Sequence, residues 1–352
     1  IFINQPSFGS LPQGARLERI KRSPHYCDGQ FNNLHPTQMM TSDEGRFGAM
    51  LSFLFRKTEN LRPENEVPVI KTDLHKLGRD ENVLIWFGHS SYFIQVDGKR
   101  FLVDPVFCMA SPVSFVNKPF KGTDVYKPED MPDIDYMVIS HDHWDHLDYQ
   151  TVRALKDRVG KVICGLGVGE HFEYWGFDRE RIVELDWEDE VHLDSGFVVH
   201  CLPARHFSGR GLAANKTLWA SFLLETPSRK IYLAGDGGYD THFARVGERF
   251  PGIDLAILEN GQYNEGWKYI HLMPDYPCPV KSAVIISINY RIKICGIMHL
   301  IPHLLKYFHI IHLKLRYKSA HSCNKKCFFL FSRICIFRQN CSPIRKVFTG
   351  YS

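Results

Sequence analysis

Three histidines and two aspartates lie within six consecutive residues, directly after the apolar run at residues 136–140. They are His141, Asp142, His143, Asp145 and His146, with Trp144 between them. Imidazole nitrogens and carboxylate oxygens are the side-chain ligands that zinc and related metals use in proteins. The simpler alternative is a polar surface loop that happens to be rich in histidine. This density of potential ligands favours a metal site.

The spacing of the motif indicates how two ions could share these side chains. Alternate side chains of an extended strand point the same way, so His141 and His143 can bind one ion while Asp142 points elsewhere. Asp145 and His146 follow where a helix is expected to begin and are directed toward a neighbouring position. The motif therefore predicts two adjacent metal ions, each of which still lacks ligands.

Two later apolar runs are followed by residues that could complete such a site. His206 comes shortly after the run at 196–202, and Asp236 lies between two glycines after the run at 231–234. Each has an ordinary explanation by itself, since histidine is common in loops and Gly-Asp-Gly is typical of turns. Because both follow apolar runs downstream of the motif, we expect them to supply missing ligands.

Two residues upstream of the motif are candidates for supporting the ligands. Asp104 follows the apolar run at 101–103, at the carboxyl end of a predicted strand, where sites in α/β proteins commonly gather residues. It either holds a metal ligand through a hydrogen bond or caps a turn. His89, in a Gly-His-Ser-Ser segment between two predicted strands, can support the site from the neighbouring loop.

Short apolar runs from residue 82 onward predict the strands, and their order predicts the fold. Strands are expected at 83–87, 92–96, 101–103, 161–164, 183–185, 196–202, 218–224, 231–234 and 254–258, and helices at about 42–54, 148–159 and 241–250. Residues 1–40 show no periodicity and predict an irregular arm. The glycines at 165, 167 and 169 lack dinucleotide-binding spacing and indicate a strand-to-helix turn. The order favours two packed sheets with helices outside; the alternative is a single doubly wound sheet.

Charge divides the chain into an acidic body and a basic tail. Residues 1–275 carry 30 basic and 39 acidic side chains, whereas residues 276–352 carry 13 basic side chains and no acidic one. An acidic body repels a nucleic-acid backbone, so a nucleic-acid partner is not expected. Four of the ten cysteines lie scattered in the body, which weakly favours a reducing compartment.

The sequence leaves the cellular location open between two possibilities. It contains no run of about 18 apolar residues, so we expect no membrane-spanning segment within it. The first residue is Ile1 rather than Met, so a removed signal or a missing membrane anchor is an alternative. The protein is expected to be cytoplasmic or associated with a membrane.

The motif and the segments around it resemble the metallo-β-lactamase superfamily. Within the superfamily, they are most similar to the N-acylphosphatidylethanolamine-hydrolysing phospholipase D family and its bacterial relatives. The likeness covers about residues 80–275. It depends on the motif, on the spaced His206 and Asp236, and on these shared segments: Trp86-Phe87-Gly88-His89-Ser90-Ser91, Val103-Asp104-Pro105, Ile139-Ser140-His141-Asp142-His143, Glu184-Leu185-Asp186-Trp187 and Ala234-Gly235-Asp236. The resemblance implies an α/β fold, an αββα sandwich with a dinuclear zinc site at one edge.

The resemblance also implies a role for each candidate residue. Six residues would share two zinc ions: His141, His143 and His206 hold one, Asp145 and His146 hold the other, and Asp236 bridges the two. A hydroxide between the ions is the expected nucleophile, because two cations lower the pKa of bound water. His271 matches a family histidine near the site. It either protonates the leaving group or only binds substrate or caps a helix.

The chain departs from the family pattern after Asp275. The family's last zinc ligand is a histidine in a His-Trp-Gly-like segment, and no His-Trp-Gly occurs in this sequence. Four tail histidines are available without a matching context: His299, His303, His309 and His312. The tail is either a divergent basic element that touches lipid or nucleic acid, or the product of a frameshift, read-through or gene-prediction error. Its lack of acidic residues favours the second explanation.

We therefore divide the chain into an N-terminal arm and helix (1–79), a hydrolase domain (80–275) and an atypical tail (276–352).

Together these observations predict a zinc-dependent hydrolase that cleaves a phosphodiester bond. The expected substrate is a phospholipid like N-acylphosphatidylethanolamine, and a membrane surface is a possible partner. Hydrolysis of a lactone or another small-molecule ester is the alternative within the superfamily. A binding protein that kept the fold and lost the last ligand is the alternative outside enzymes. Because one ligand is missing, we expect the second zinc site to be incompletely occupied.

Overall fold

The computed structural model describes residues 2–41, 63–113, 116–259 and 264–273, together with residue 48 and the backbone of two short strands at 284–288 and 334–335. The helix predicted at 42–54 and most of the basic tail lie outside the described residues. Every residue predicted to belong to the site, from His89 to His271, lies within them.

The N-terminal forty residues are more regular than the predicted arm. They contain the helix α1 (Gly14–Ile20) and a hairpin of the strands β1 (Tyr26–Cys27) and β2 (Gln30–Phe31). Ile20 and Phe31 are fully buried in the core between two large sheets. The prediction of an irregular arm missed these elements, because a seven-residue helix and two-residue strands are too short to show a periodic apolar pattern.

Six strands form the first sheet. They are β3 (Val83–Gly88), β4 (Ser91–Val96), β5 (Lys99–Val103), β6 (Ile134–Ile139), β7 (Val159–Gly165) and β8 (Ile182–Leu185), and they lie side by side in chain order. The strands β3, β4 and β5 pair antiparallel, whereas β5 to β8 pair parallel. The β4–β5 turn places Asp97 and Gly98 at positive φ, as the Asp-Gly hairpin signal predicts.

Seven strands form the second sheet. They are β9 (Glu190–His192), β10 (Val198–Leu202), β11 (Ser221–Glu225), β12 (Lys230–Leu233), β13 (Leu255–Glu259), β14 (Val284–Ile288) and β15 (Ile334–Cys335), again side by side in chain order. The strands β9 to β12 pair antiparallel, β12 to β14 pair parallel, and β15 is antiparallel to β14. Both sheets thus begin with antiparallel pairs and continue with parallel pairs, and the second sheet ends with one further antiparallel pair.

Helices cover the outer faces of both sheets. They are α2 (Tyr149–Leu155) and α3 (Gly169–Tyr174) over the first sheet and α4 (His242–Arg249) over the second. Single 3₁₀ turns lie at Phe2–Asn4, Pro6–Phe8, Leu74–Lys76, Pro128–Asp130, Lys156–Arg158, Arg179–Arg181, Asp194–Gly196 and Glu265–Trp267. Apolar side chains from the facing sides of the two sheets form the central core. The predicted αββα sandwich is confirmed, and the single doubly wound sheet is excluded.

Helix α2 begins as predicted but ends early. The Asp148 side chain caps it by accepting a hydrogen bond of 3.1 Å from the Gln150 amide. The helix was expected to continue through Val159, but it ends at Leu155. The reason is that Val159 already belongs to the buried strand β7, which leaves only the short turn Lys156–Arg158 to connect them.

A buried arginine fastens the N-terminal arm to the first sheet. The Arg16 guanidinium pairs with the carboxylates of Glu170, Glu173 and Glu184 at 2.6, 2.8 and 2.8 Å. Because breaking a buried ion pair leaves charges without partners, these contacts bind the arm firmly to α3 and β8. The glycines between β7 and α3 form the predicted strand-to-helix turn, with Gly167 at φ +88°.

Candidate metal centre

The histidine motif occupies the loop between β6 and α2, where the first sheet meets the second. Ser140, directly after β6, donates its amide hydrogen to Asp104 Oδ1 at 2.8 Å. Its carbonyl oxygen accepts a hydrogen bond of 2.9 Å from the Ala220 amide, just before β11. These contacts hold the motif in register with both sheets, so ligands from the second sheet can reach it.

Three imidazoles converge beside this loop and form the three-imidazole cluster: His141, His143 and His206. His143 Nδ1 lies 2.8 Å from His141 Nε2 and 3.2 Å from His206 Nε2. One nitrogen from each ring lies within 4.8 Å of the other two. Burial lowers the pKa of all three rings. The imidazoles are therefore neutral, which is the form that binds a metal ion.

A second group, which we call the carboxylate-containing cluster, consists of Asp145, His146 and Asp236. His146 joins the two acids, because it has a ring nitrogen within 4.8 Å of a carboxylate oxygen of Asp145 and one within 4.8 Å of a carboxylate oxygen of Asp236. Asp236 Oδ2 lies 3.1 Å from His146 Nε2. Asp236 also has a ligand oxygen within 4.8 Å of donor nitrogens of both His141 and His146. Burial opposes the charged form of His146, but the carboxylates of Asp236 and Asp104 outweigh it and raise the pKa of His146. Asp236 therefore lies within ligand distance of both clusters.

The side-chain donors of the two clusters fit zinc, and His146 Nε2 is the atom that a bound metal ion would satisfy. His146 Nε2 is buried and makes no well-formed hydrogen bond to any described residue, although it lies 3.1 Å from Asp236 Oδ2. Buried polar atoms without partners are rare in folded proteins. Imidazole nitrogens and carboxylate oxygens at this spacing are what a zinc ion requires. A metal ion held between these groups would satisfy His146 Nε2.

Asp104 orients the ligands from behind. Its Oδ2 lies 2.8 Å from His146 Nδ1 and accepts a hydrogen bond of 2.6 Å from Ser140 Oγ. Asp104 is almost fully buried and has a φ of 42°, a conformation that is unfavourable for residues other than glycine. Of its two predicted roles, the contact with His146 fits the supporting role. Contact with Nδ1 leaves Nε2 as the nitrogen available to a metal.

Asp142, the remaining acid of the motif, points away from the clusters. Its carboxylate accepts hydrogen bonds of 2.6 Å from the Gly209 amide and 2.8 Å from Thr217 Oγ1. It also lies 3.1 Å from His171 Nε2. Burial opposes the charged carboxylate, but His171, together with the nearby charges of His143 and Arg210, lowers the pKa of Asp142 well below its ordinary value. Asp142 therefore secures the loop.

His206 is held from both sides. Its Nδ1 lies 2.8 Å from the Ile270 carbonyl oxygen, which directs Nε2 toward the three-imidazole cluster. The Asn33 side chain accepts from the His206 amide at 3.1 Å and donates to its carbonyl oxygen at 2.8 Å. Sequence reasoning missed Asn33, because a lone asparagine in the arm carries no signal of a contact 173 residues away.

His271 and Glu259 form a buried pair beside Asp236. His271 Nδ1 lies 2.8 Å from Glu259 Oε2 and 3.8 Å from Asp236 Oδ2. Burial opposes the charged imidazolium, but Glu259 and Asp236 together raise the pKa of His271 to about 9. Sequence reasoning missed Glu259. A signal was available, since Glu259 ends the apolar strand β13 at a carboxyl edge where sites gather.

His89 reaches the site from the β3–β4 turn. Its Nε2 lies 3.0 Å from Asp145 Oδ2, and its ring packs against His146 with centroids 5.3 Å apart.

The predicted site residues are thus all brought together. The tail histidines considered for the last ligand lie outside the described residues. In the part of the chain that the structure describes, no helix is long and apolar enough to cross a membrane.

Comparison with known proteins gives consistent matches across this region. The family described as "Beta-lactamase superfamily domain" matches residues 99–287, more than half of the chain. An uncharacterised protein of Mycobacterium tuberculosis is 38% identical over 257 residues, which cover 72% of this chain and 69% of that protein. The N-acyl-phosphatidylethanolamine-hydrolyzing phospholipase D 1 of Caenorhabditis elegans is 31% identical over 249 residues, covering 64% of this chain and 69% of that protein.

A solved structure is similar at lower identity. Igni18, a metallo hydrolase from the hyperthermophilic archaeon Ignicoccus hospitalis, is 22% identical to this chain. The match covers 51% of this chain and 71% of Igni18, with a TM-score of 0.41.

Proposed function

We propose that this chain cleaves a phosphodiester bond in a phospholipid of the N-acylphosphatidylethanolamine class. The chain belongs to the metallo-β-lactamase superfamily and is a hydrolase of that superfamily. The observation that carries the proposal is the convergence of donor atoms from two sheets. The six residues are His141, His143, Asp145, His146, His206 and Asp236. The likeness to the phospholipase D of Caenorhabditis elegans supports the choice of substrate class.

The two clusters would hold the metal ions, with Asp236 shared between them. Zinc bound there would polarise a phosphoryl oxygen and lower the pKa of water, which are the two functions of zinc in hydrolysis. The chain's own contribution is to present neutral imidazoles and fixed carboxylates. Asp104 and the Ile270 carbonyl oxygen fix the rings of His146 and His206 through Nδ1.

His271 is placed to act as a general acid, which donates a proton to the leaving group. Glu259 engages Nδ1, so Nε2 is the ring nitrogen left to face a substrate. With a pKa of about 9, the ring is protonated at neutral pH and can donate a proton to a leaving oxygen. Glu259 also accepts a hydrogen bond of 2.6 Å from the Gly237 amide, which fixes the pair relative to Asp236.

Charge and surface support a lipid rather than a nucleic acid. The net charge of −9 over residues 1–275 repels a nucleic-acid backbone. Two exposed apolar side chains lie near the motif. Phe2 is 47% exposed, and Leu212, which is 89% exposed, comes two residues after Arg210, whose carbonyl oxygen accepts a hydrogen bond from Trp144 Nε1. Phe8 packs edge to face between Phe2 and Trp144, with ring centroids 5.4 and 5.0 Å apart. Exposed apolar residues beside a site favour a membrane surface as partner.

The test is an assay of the full-length chain loaded with zinc. Phosphatidylcholine vesicles that contain N-acylphosphatidylethanolamine are incubated with the protein, and phosphatidic acid and N-acylethanolamine are measured by mass spectrometry. A lactone and a single-stranded oligonucleotide are assayed in parallel. We expect zinc-dependent release of phosphatidic acid, which a chelator abolishes.

Two variants test whether the metal centre is responsible. His143→Ala removes one ligand of the three-imidazole cluster and should lower kcat/KM at least about a hundredfold, or roughly 3 kcal/mol. His192→Ala is the matched control, because His192 lies exposed on β9 outside the site. Turnover of the lactone alone, or equal activity of the two variants, contradicts the proposed function.

A further inference from the structure

We infer that His89 is a direct ligand of the ion held by Asp145, His146 and Asp236, rather than only a support for Asp145. The inference rests on the proposed function in so far as it assumes that the chain binds two metal ions. Zinc in proteins is almost always bound by four ligands, and a catalytic site leaves one position for water or substrate. The carboxylate-containing cluster supplies three protein ligands only if Asp236 is counted in full. Because Asp236 is shared with the three-imidazole cluster, this ion has room for one further protein ligand.

The geometry places His89 at ligand distance from this cluster. One donor atom each from His89, Asp145 and His146 lies within 4.8 Å of the other two. The separation between His89 Nε2 and Asp145 Oδ2 is 3.0 Å. Two ligands of a tetrahedral zinc ion lie about 3.4 Å apart, since each is about 2.0–2.1 Å from the metal. A small shift on metal binding accommodates the ion.

The β3–β4 turn holds His89 against the motif. Trp86 Nε1 donates to the His89 carbonyl oxygen at 2.8 Å, and Ser90 Oγ donates to the Asp145 carbonyl oxygen at 2.7 Å. His89 has a φ of 47°, in the left-handed region that non-glycine residues rarely adopt. Unfavourable backbone conformations of this kind are concentrated at functional sites. The turn therefore presents this imidazole at a defined position.

The rival explanation is that His89 only donates a hydrogen bond to Asp145. A ligating carboxylate commonly has such a partner, and its loss also weakens metal binding. A distance of 3.0 Å fits both roles in the absence of the ion. The two roles differ in whether a bond joins His89 to the metal, which activity measurements do not report.

Cadmium NMR distinguishes the two roles. The full-length chain is loaded with ¹¹³Cd, and correlations between the metal and histidine ring protons are recorded, because these arise only through a metal–nitrogen bond. We expect two cadmium ions per chain and a correlation from His89, identified by its disappearance in His89→Gln and His89→Asn. His192→Gln, on the exposed β9 strand, is the control and should retain every correlation.

Affinity provides the second measurement. We expect His89→Gln to weaken the binding of one cadmium ion at least about tenfold while the other is unchanged. Two bound ions without a correlation to His89, or only one bound ion and no such correlation, would overturn the inference. Absence of phosphodiester hydrolysis with the His89 correlation present would contradict the proposed function alone and leave His89 assigned as a ligand.

Discussion

The three-imidazole cluster and the carboxylate-containing cluster lie side by side but are supported differently. Behind the first, Ser140 Oγ lies 2.9 Å from His141 Nδ1 and the Ile270 carbonyl oxygen 2.8 Å from His206 Nδ1, so both supports are neutral. Behind the second, the charged Asp104 faces His146. The first cluster offers neutral nitrogens, whereas the second contains an internal pair of opposite charges.

This difference indicates how the two positions would bind metal. An ion entering the three-imidazole cluster meets rings that are already neutral, because burial lowers their pKa. An ion entering the carboxylate-containing cluster must displace a proton from His146, whose pKa the neighbouring carboxylates raise. We expect the first position to be the tighter one, and four predictions test the comparison.

The largest effect is expected from Asp236→Asn. Asp236 lies within ligand distance of both clusters, so losing its charge should weaken both positions. We expect kcat/KM to fall about a thousandfold, equivalent to roughly 4 kcal/mol. Elemental analysis should find fewer zinc ions per chain than in the wild type. The exposed Asp157→Asn is the control, and loss of metal from only one cluster would show that Asp236 is not shared.

A steric change tests the close approach of the two sheets behind the clusters. Gly235 has a φ of +64°, and a Cβ atom there would lie 2.6 Å from Ser140 Cβ. Gly235→Ala should therefore destabilise the fold by about 2–4 kcal/mol, by backbone strain together with overpacking. Urea unfolding measures the loss. Gly247→Ala is the matched control, because Gly247 lies in α4 with open space around it and should gain about 0.5–1 kcal/mol.

If Gly235→Ala unfolds at the same urea concentration as the wild type, the close approach of the two sheets at Ser140 is not required for stability.

Acid should lower the free energy of unfolding through His242, the first residue of α4. Burial in α4 lowers the pKa of His242 to about 4, against about 6.5 in the unfolded chain. Between these values the unfolded state binds more protons, so stability is lost as pH falls. From pH 7 to pH 5 the loss from this group is about 2 kcal/mol. His242→Gln should remove that part of the pH dependence, measured by urea unfolding at both pH values.

An unchanged pH dependence in His242→Gln would assign the acid sensitivity to other groups. This measurement also sets the lowest pH at which the metal affinities of the two clusters can be compared in folded protein.

The most local effect is expected from Asp104→Asn, and it should fall on one cluster. Asp104 contacts His146 directly but reaches His141 only through Ser140 Oγ. Removing a carboxylate behind a ligating histidine typically costs 10–100-fold in metal affinity. A zinc competition titration should show this loss for the carboxylate-containing cluster and a smaller change for the other. Equal losses at both would remove the distinction between them.

Much of the site could be predicted because its residues follow apolar strands. Asp104, the motif and Asp236 come within three residues of the ends of β5, β6 and β12, so the strand pattern locates them at the sheet edge. Glu259 and Asn33 were missed, since a glutamate that ends a strand and an asparagine in a loop are ordinary residues. The end of α2 was mispredicted, because apolar spacing alone cannot tell when the chain enters the next strand.

The sequence by itself determined the kinds of ligand, the motif His141–His146 and the strand order that implies an αββα sandwich. Tertiary structure decided which of the 18 histidines meet. His143 and His206 are 63 residues apart and come within 3.2 Å only because the two sheets pack face to face. His89 likewise faces Asp145 across 56 residues. Periodicity reports which face of an element is buried, whereas distances between elements depend on how the sheets pack.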